Sequence, residues 1–473
     1  MTLSFKPNTK LTSNTPKRLH MENKNPLAHH HVWFDIVAKA FKSRRKIKLG
    51  MVNMMDEELH GLPNTETVNV GFERMTDDRI RSWKEYFPEW IDEDKKWGTP
   101  KCPEIPLVRR LEDYGDLDVV VARVPCGNWT EKEGIRDAFR LQVNLVVTKV
   151  AVESGWVTSD LRRKIYVVFM GNCGPMLELF RCDDLVLQRG EFWVYKPDVA
   201  RLKHKLLMPV GTCQIAPPYS QQGKEPWRYY THRKHDNMTH HRRPRHAYVT
   251  VLHSSEAYGS YNEWNYSKLR VWQLIDYDKV IFIDADLLVL KNIDHFFTYP
   301  QLSASSSNKV LFNSGLMVVE PSACLFEDLM RKSFKLESYN GGDQGFLNQA
   351  FTWWHKLPSK LNFLKSFKSG KRDGIHDDVY AMHYLGLKPW MCYRDYDCNW
   401  DMLDHHVFAS DSAHQRWWEV YDTIPMKLKP YCGLTRRMSW RIKNRRQRAM
   451  NHNLSDGHWR IPIKDPRQFH YVG

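Results

Sequence analysis

Two carboxylates one residue apart, Asp284 and Asp286, follow directly on the short apolar run Val280 to Ile283. A run this short and β-branched predicts a strand buried on both faces, as in a parallel sheet. Ligands of such sheets bind at the carboxyl ends of the strands, which is where the pair falls. In a strand, i and i+2 side chains point to the same side, and neighbouring carboxylates repel unless a cation lies between them. A hard divalent ion that also holds a diphosphate meets that need, and Ala285 between the two lets a nucleotide approach closely. The alternative for a bare Asp-x-Asp is a turn or helix cap after a strand. Asn313, Ser314 and Gly315 precede the apolar stretch Leu316 to Val319. There they read as an amide and a hydroxyl at a strand junction, able to bind sugar hydroxyls or to form a polar bulge. Gly342, Asp343 and Gln344 open a helix carrying Phe346, Leu347 and Phe351, where Asp343 would also serve as an N-cap. His383 follows the apolar Val379 to Met382 and by itself could be structural. Gly386 behind it permits a tight loop around phosphate, and Lys388 can neutralise a departing diphosphate.

These groups need a scaffold, and the pattern supplies an α/β one. His246 to His253 reads as a strand, and Tyr266, Leu269, Trp272 and Leu274 as one face of a helix. Upstream, Trp33 to Phe41 is apolar at helical spacing. Strands are expected at Ile47 to Asn53, Leu117 to Val124 and Ile165 to Met170, with a helix over Arg136 to Val152 between the last two. That alternation predicts a smaller N-terminal α/β domain over residues 32–217, to which no chemistry is assigned. Residues 1–31, ending in three histidines, read as a disordered tail, and the basic, turn-rich 218–245 as a linker. The domain bearing the carboxylates would then span 246–432, with 433–473 as a basic extension.

Composition narrows the setting. The chain has 473 residues, 42% of them hydrophobic, enough for two cores. Its net charge of +15 is concentrated at Lys42 to Lys48, Arg233 to Arg245 and Arg436 to Arg448. No nucleic-acid motif accompanies these clusters, so no nucleic-acid partner is expected; the flanking clusters read as solvated or membrane-proximal surface. The nine cysteines contain no C-x-x-C pair, which argues against a zinc ribbon. Their odd number leaves at least one free in an oxidising compartment. N-x-S/T sequons at Asn128, Asn237, Asn265 and Asn453 fit a secretory chain. No apolar run reaches the 18 or so residues of a membrane span, and Met1 to Asn25 lacks a signal-peptide core.

Four motifs occur in a family-specific order: Asp284-Ala-Asp286, Phe312-Asn-Ser-Gly-Leu-Met317, Asn340-Gly-Gly-Asp-Gln-Gly345 and His383-Tyr-Leu-Gly-Leu-Lys-Pro-Trp390. With them the chain resembles glycosyltransferase family 8, which includes the glycogenins. Tyr261 to Lys268 and Cys392 to Trp400 resemble its plant branch, the glycogenin-like starch initiation proteins that add glucuronic acid to xylan. The resemblance runs from about Trp33 to the C-terminus. It implies a GT-A-like mixed sheet and a Mn²⁺ cofactor held by Asp284, Asp286 and His383. The nucleotide base would contact Leu252, His253 and Tyr258. Asp343 and Gln344 would act beside the anomeric carbon of the donor sugar, and Lys268 would contact the donor. It also implies a UDP-sugar donor, a xylan acceptor, retention by a front-face mechanism and a Golgi location on one N-terminal anchor. No such anchor is read in this sequence, so the chain as written is expected to stay in the cytosol. Arg394, between Cys392 and Cys398, is either a partner for a donor carboxylate or one half of a surface ion pair; the two cysteines could form a disulfide.

Two departures from the family pattern stand out. The interval from His246 to Asp284 accommodates one βαβ unit of roughly 30 residues or more, where the family has two. Tyr258 runs through Gly259 and Ser260 straight into Tyr261, which predicts the loss of an inner sheet strand. The loop Lys368 to Gly374 is also short. The expected activity is Mn²⁺-dependent, retaining transfer of glucuronic acid from UDP-glucuronate to xylan. The alternatives are a glucosyl or galactosyl donor, a sphingolipid acceptor, or an impaired nucleotide-sugar-binding remnant.

Overall fold

The computed structural model describes residues 26–42, 46–59, 61–75, 105–126, 136–156, 164–207, 244–251, 265–307, 311–364, 375, 377–384, 388–391 and 411–451. Helix α1 (Pro26–Ala40) opens the described chain. The boundary expected after His31 therefore lies earlier, and the three histidines fall within the helix. Strands β1 (Ile47–Val52), β2 (Thr65–Asn69) and β3 (Val119–Arg123) precede helix α2 (Ala138–Trp156). Then come β4 (Tyr166–Met170), β5 (Leu185–Arg189), β6 (Phe192–Tyr195) and helix α3 (Val199–Leu207).

These strands form one sheet in the order β2-β1-β3-β4-β6-β5, parallel from β2 to β4 and antiparallel through β6 and β5. The period of two divides β3 between two cores. Val119 and Val121 face Trp33, Phe34 and Val37 of α1. Val120 and Ala122 face Leu141, Leu145 and Val146 of α2. A strand covered on both sides must be apolar at every position, which is why this element is legible as a run rather than an alternation.

A second sheet follows. Its members are β7 (His246–Val249), β8 (Lys279–Ile283), β10 (Ser303–Ser306), β11 (Phe312–Val319) and β12 (His355–Leu357), in the order β12-β10-β11-β8-β7. Both β8 and β11 are split between two cores as β3 is. Val280, Phe282, Met317 and Val319 pack with Leu269, Trp272, Leu325 and Leu329. Ile281, Leu316 and Val318 pack with Ile293 and Phe296 on the other face. Helices α4 (Ala323–Ser333) and α5 (Asp343–Ala350) complete this half. A small sheet, β13-β14-β9, is made of β9 (Leu287–Val289), β13 (Phe363–Leu364) and β14 (Ala381–His383). Helices α6 (Asp411–Asp422), α7 (Lys429–Cys432) and α8 (Arg436–Asn451) end the described chain.

Three expectations change here. The segment Asn265–Gln273 is a 3₁₀-helix rather than an α-helix. Asn313 to Gly315 lie inside β11, not at a strand junction. Among the described strands the sheet has no internal vacancy: β7 pairs directly and in parallel with β8, His246 opposite Lys279 through Val249 opposite Phe282. Among the described strands β7 is therefore an edge, and Tyr248 on it is 46% exposed. Any strand lost from this half is missing outside β7. The linker, apart from residues 244 and 245, lies outside the described residues. So do Leu252, His253, Tyr258, Gly386, Arg394 and the pair Cys392 and Cys398.

The two large sheets are fastened to one another. A disulfide joins Cys182 to Cys324, and another joins Cys126 to Cys173 within the first half. Glu178 Oε1 accepts from Thr352 N at 2.7 Å and from Thr352 Oγ1 at 3.1 Å. Arg181 donates to Glu320 Oε2 at 2.8 Å, in a buried group that also holds Lys205 and Lys279. Burial alone would raise the Glu320 pKa, but Lys279, Lys205 and Arg181 outweigh it and pull it from 4.5 to about 2. A depressed carboxyl stabilises the fold above its unfolded pKa, and that contribution fades as pH falls through the folded value. We expect Glu320→Ala to cost about 3–5 kcal/mol by stranding buried cations. The gap between wild type and variant, measured by denaturant midpoints, should close as pH falls from 4.5 toward about 2.

Candidate active site

Strand pairing brings the chemistry together. Asp284 N donates to Gly315 O at 2.7 Å, which anchors the end of β8 on β11. Leu287 N donates to Asp284 O at 3.0 Å, so Asp284, Ala285 and Asp286 occupy the tight turn between β8 and β9. The two carboxylates do not share one strand face, as their spacing suggested; the turn turns both inward. Strand β14 runs antiparallel to β9 with His383 opposite Leu287, and Tyr384 N donates to Asp286 O at 3.0 Å. His383 Nε2 thereby lies 3.2 Å from Asp286 Oδ1. One ligand atom from each of Asp284, Asp286 and His383 lies within 4.8 Å of the others.

Two lysines flank the trio. Lys388 Nζ donates to Asp286 Oδ2 at 2.5 Å and also to Tyr384 O. Lys268, buried on the 3₁₀-helix, lies 3.1 Å from Asp284 Oδ1 and 2.6 Å from Asp343 Oδ2, and donates to Ser314 Oγ at 3.2 Å. Ser314 Oγ in turn donates to Asp343 Oδ2 at 2.7 Å. Gln344 Oε1 accepts from Ser314 N at 3.3 Å, and Gln344 Nε2 donates to Tyr339 Oη at 2.8 Å. The sequence-expected residues Lys268, Asp284, Asp286, Ser314, Asp343, Gln344, His383 and Lys388 thus form one contiguous polar site at the carboxyl end of β8.

Electrostatics divide the carboxylates. Burial raises the Asp284 pKa, with Lys268 opposing and Asp343 adding to the rise. Burial would raise Asp286 too, but the His383 hydrogen bond and Lys388 hold it well below the usual carboxylate range. Burial would lower Lys268, and the charges of Asp284 and Asp343 reverse this and drive its pKa up. Lys268 therefore stays a cation and knits the turn to the start of α5.

Asp343 is not the N-cap of α5. The N-cap position is Gly342, and the first turn is held instead by Asn340, whose Oδ1 accepts from Gly342 N at 3.1 Å and Gly345 N at 3.0 Å; Asp343 is engaged by Lys268. A Cβ on Gly345 would lie 2.2 Å from Ser338 Oγ and 2.5 Å from Asn340 Oδ1, so this glycine is needed for close approach. Asn348, buried on α5, clamps the helix to β11. Its Oδ1 accepts from Phe312 N and its Nδ2 donates to Phe312 O, each at 2.9 Å. Sequence reading missed Asn340, Asn348 and Asn362; polar residues on otherwise apolar faces were the signal for the latter two.

Two carboxylates and an imidazole form a hard-to-borderline donor set of the kind that divalent Mg²⁺ or Mn²⁺ uses. The trio carries two negative charges, and its atoms are close enough to share one ion. The residues present therefore fit a divalent cation.

Residues 23–213 match the family described as the GUX1-5 N-terminal domain. "Putative UDP-glucuronate:xylan alpha-glucuronosyltransferase 4" of Arabidopsis thaliana is 45% identical over 98% of this chain and 94% of its own length. UDP-glucuronate:xylan alpha-glucuronosyltransferase 2 of Arabidopsis thaliana is 42% identical over 89% of this chain and 81% of its own. A solved apo-form glycosyltransferase, GlyE of Streptococcus pneumoniae TIGR4, aligns over 36% of this chain and 45% of its own. At 20% identity and a TM-score of 0.27 it carries no argument. The long alignments at 42% and 45% identity decide the matter: this chain belongs to the UDP-glucuronate:xylan alpha-glucuronosyltransferase family, a branch of glycosyltransferase family 8.

Proposed function

We propose that the chain transfers glucuronic acid from UDP-glucuronate to xylan, with retention of anomeric configuration, using Mn²⁺ held by Asp284, Asp286 and His383. The observation that carries this reading is the convergence of those three ligands with Lys268 and Lys388 at the carboxyl end of β8. When bound, the ion acts as a Lewis acid that offsets the charge of the donor diphosphate. Lys388 stands beside Asp286 and supplies a second positive charge for the same group. Asp343 and Gln344 line the sugar side, Asp343 kept in place by Lys268 and Ser314. Ser314 and Gly315 hold the floor of the site through β11, and Gly342 lets α5 begin without a side chain in the way. Leu252, His253 and Tyr258 are assigned to the nucleotide base, and Gly386 to the phosphate loop.

A Golgi-lumen location, in place of the cytosolic one expected of the chain as written, fits the family and the disulfides, which persist in oxidising compartments. Among the described residues no helix is long and apolar enough to cross a membrane.

The test is direct. Full chain incubated with UDP-glucuronate and xylo-oligosaccharides should give an acidic, α-linked product with Mn²⁺. EDTA should stop it and added Mn²⁺ restore it. Preference for UDP-glucose or UDP-galactose, or transfer to a sphingolipid and not to xylan, would overturn the assignment. A second reading, an impaired donor-binding remnant, has its own support. The alignment to the 45%-identical relative runs over 541 positions against 473 residues here, so that relative carries segments this chain lacks. On this reading UDP binds weakly and turnover is poor.

A further inference from the structure

We propose that Asn362, oriented by Asn313, fixes the tautomer of His383 and thereby leaves its Nε2 bare for the divalent cation. A backbone amide can only donate. Gly315 N lies 2.8 Å from a terminal side-chain atom of Asn313, so that atom is the carboxamide oxygen, Oδ1. The same oxygen lies 2.9 Å from the side chain of Asn362. Two oxygens do not bond, so Asn362 presents its amino group there and turns its own oxygen toward His383 Nδ1, 3.0 Å away. A carboxamide oxygen only accepts, so Nδ1 carries the hydrogen. In the neutral ring the other nitrogen, Nε2, is then an unprotonated lone pair, and it faces Asp286 Oδ1 at 3.2 Å. Two acceptors at that distance call for a positive centre between them: a proton on Nε2 makes the hydrogen bond to Asp286 in the ion-free site, and the cation takes the proton's place.

The chain of orientation starts at the backbone of β11 and ends at the ligand atom, and solvent barely reaches it. Asn313 is 7%, Asn362 3% and His383 3% exposed, so water does not substitute for a lost partner. Gly315 matters for the same reason. A Cβ there would lie 2.5 Å from His383 Cε1 and 2.8 Å from Asn313 Oδ1. The Asn313 oxygen, first read as a contact for sugar hydroxyls, is committed to this network.

This proposal rests on the cation reading above, and the experiment separates the two. Mn²⁺ affinity of the full chain is measured by electron paramagnetic resonance of free Mn²⁺ for wild type, Asn362→Leu and Asn362→Asp. Loss of a partner behind a metal-bound histidine typically costs ~10–100-fold in metal affinity, and Asn362→Leu should fall in that range. Asn362→Asp keeps an acceptor for Nδ1–H but sets its second oxygen against Asn313 Oδ1, so it should lose less affinity than Asn362→Leu. In ¹⁵N-histidine spectra of the Mg²⁺-loaded chain, the ring is assigned by its absence in His383→Gln. It should be the Nδ1–H tautomer in wild type and Asn362→Asp, and should lose that preference in Asn362→Leu. A purely structural role would weaken both variants alike without moving the tautomer, and that result overturns the proposal. If Asn362→Leu does not fold, an Nε2–H ring in wild type, or an affinity loss of that size in Asn362→Asp, overturns it. Wild-type chain that binds no Mn²⁺ sinks the cation reading itself; wild type and Asn362→Leu binding it equally sink only the tautomer proposal.

Discussion

Asp284→Ala and Asp286→Ala should each abolish Mn²⁺-dependent UDP binding and glucuronic acid transfer. The site holds three carboxylates, Asp284, Asp286 and Asp343, against two amines, Lys268 and Lys388. A divalent ion balances that excess and adds the charge needed to receive a diphosphate. Removing Asp286 takes one ligand from the ion and leaves the Lys388 ammonium without the anion that draws it in, so a repelling charge stands where a ligand was. Removing Asp284 leaves Lys268 tied to Asp343 at 2.6 Å, so the start of α5 stays anchored while the ion loses a ligand. Partners that only support a ligand cost ~10–100-fold when removed, and loss of a ligand itself should exceed that. Calorimetric titration of UDP with and without Mn²⁺ reads the effect, with thermal unfolding as a check that the chain still folds. Mn²⁺-dependent UDP affinity persisting in the double variant would mean the ion sits elsewhere.

The parts of this fold that sequence made plain are strands packed against a core on both faces. Val280 to Ile283 and Leu316 to Val319 read as strands because a two-sided core demands apolar residues throughout. Strands β5, β9 and β13 gave no such signal, being short or half-exposed. The 3₁₀-helix at Asn265–Gln273 was legible but misread: Tyr266, Leu269 and Trp272 repeat every three residues, which is the 3₁₀ period. In the site, Asp284 and Asp286 stood out by spacing alone. His383 became a ligand candidate only by resemblance, since its place depends on the register of β14 against β9. The asparagines Asn313, Asn348 and Asn362 do their work through partners up to 49 residues away, and no local pattern announces such a pairing.

Restoring the segment between Tyr258 and Tyr261 should raise both UDP affinity and transfer. Strand β7 is four residues long, pairs with β8 on one side and, among the described strands, ends the sheet on the other. An edge of that kind leaves a row of backbone donors and acceptors without strand partners, and Tyr248 on it is half-exposed. On the proposed reading, the residues that follow β7 hold the nucleotide base and precede the 3₁₀-helix that carries Lys268. Only Gly259 and Ser260 bridge Tyr258 to Tyr261, and a chain spans at most about 3.3–3.6 Å per residue. With no segment between Tyr258 and Tyr261 to position them, the residues assigned to the base should hold the nucleotide poorly, while the side built on β8, β14 and α5 keeps its geometry. The loss should therefore fall on nucleotide affinity and not on cation binding. Grafting in the corresponding segment of UDP-glucuronate:xylan alpha-glucuronosyltransferase 2 should extend the sheet beyond β7. It should tighten UDP by about tenfold or more, equivalent to ~1.4 kcal/mol, and raise glucuronic acid incorporation into xylan oligomers with it. Mn²⁺ affinity without nucleotide should stay as it is in the ungrafted chain. Should the ungrafted chain already transfer at the rate of that relative, β7 is a sufficient edge for this sheet and the base is held by other residues.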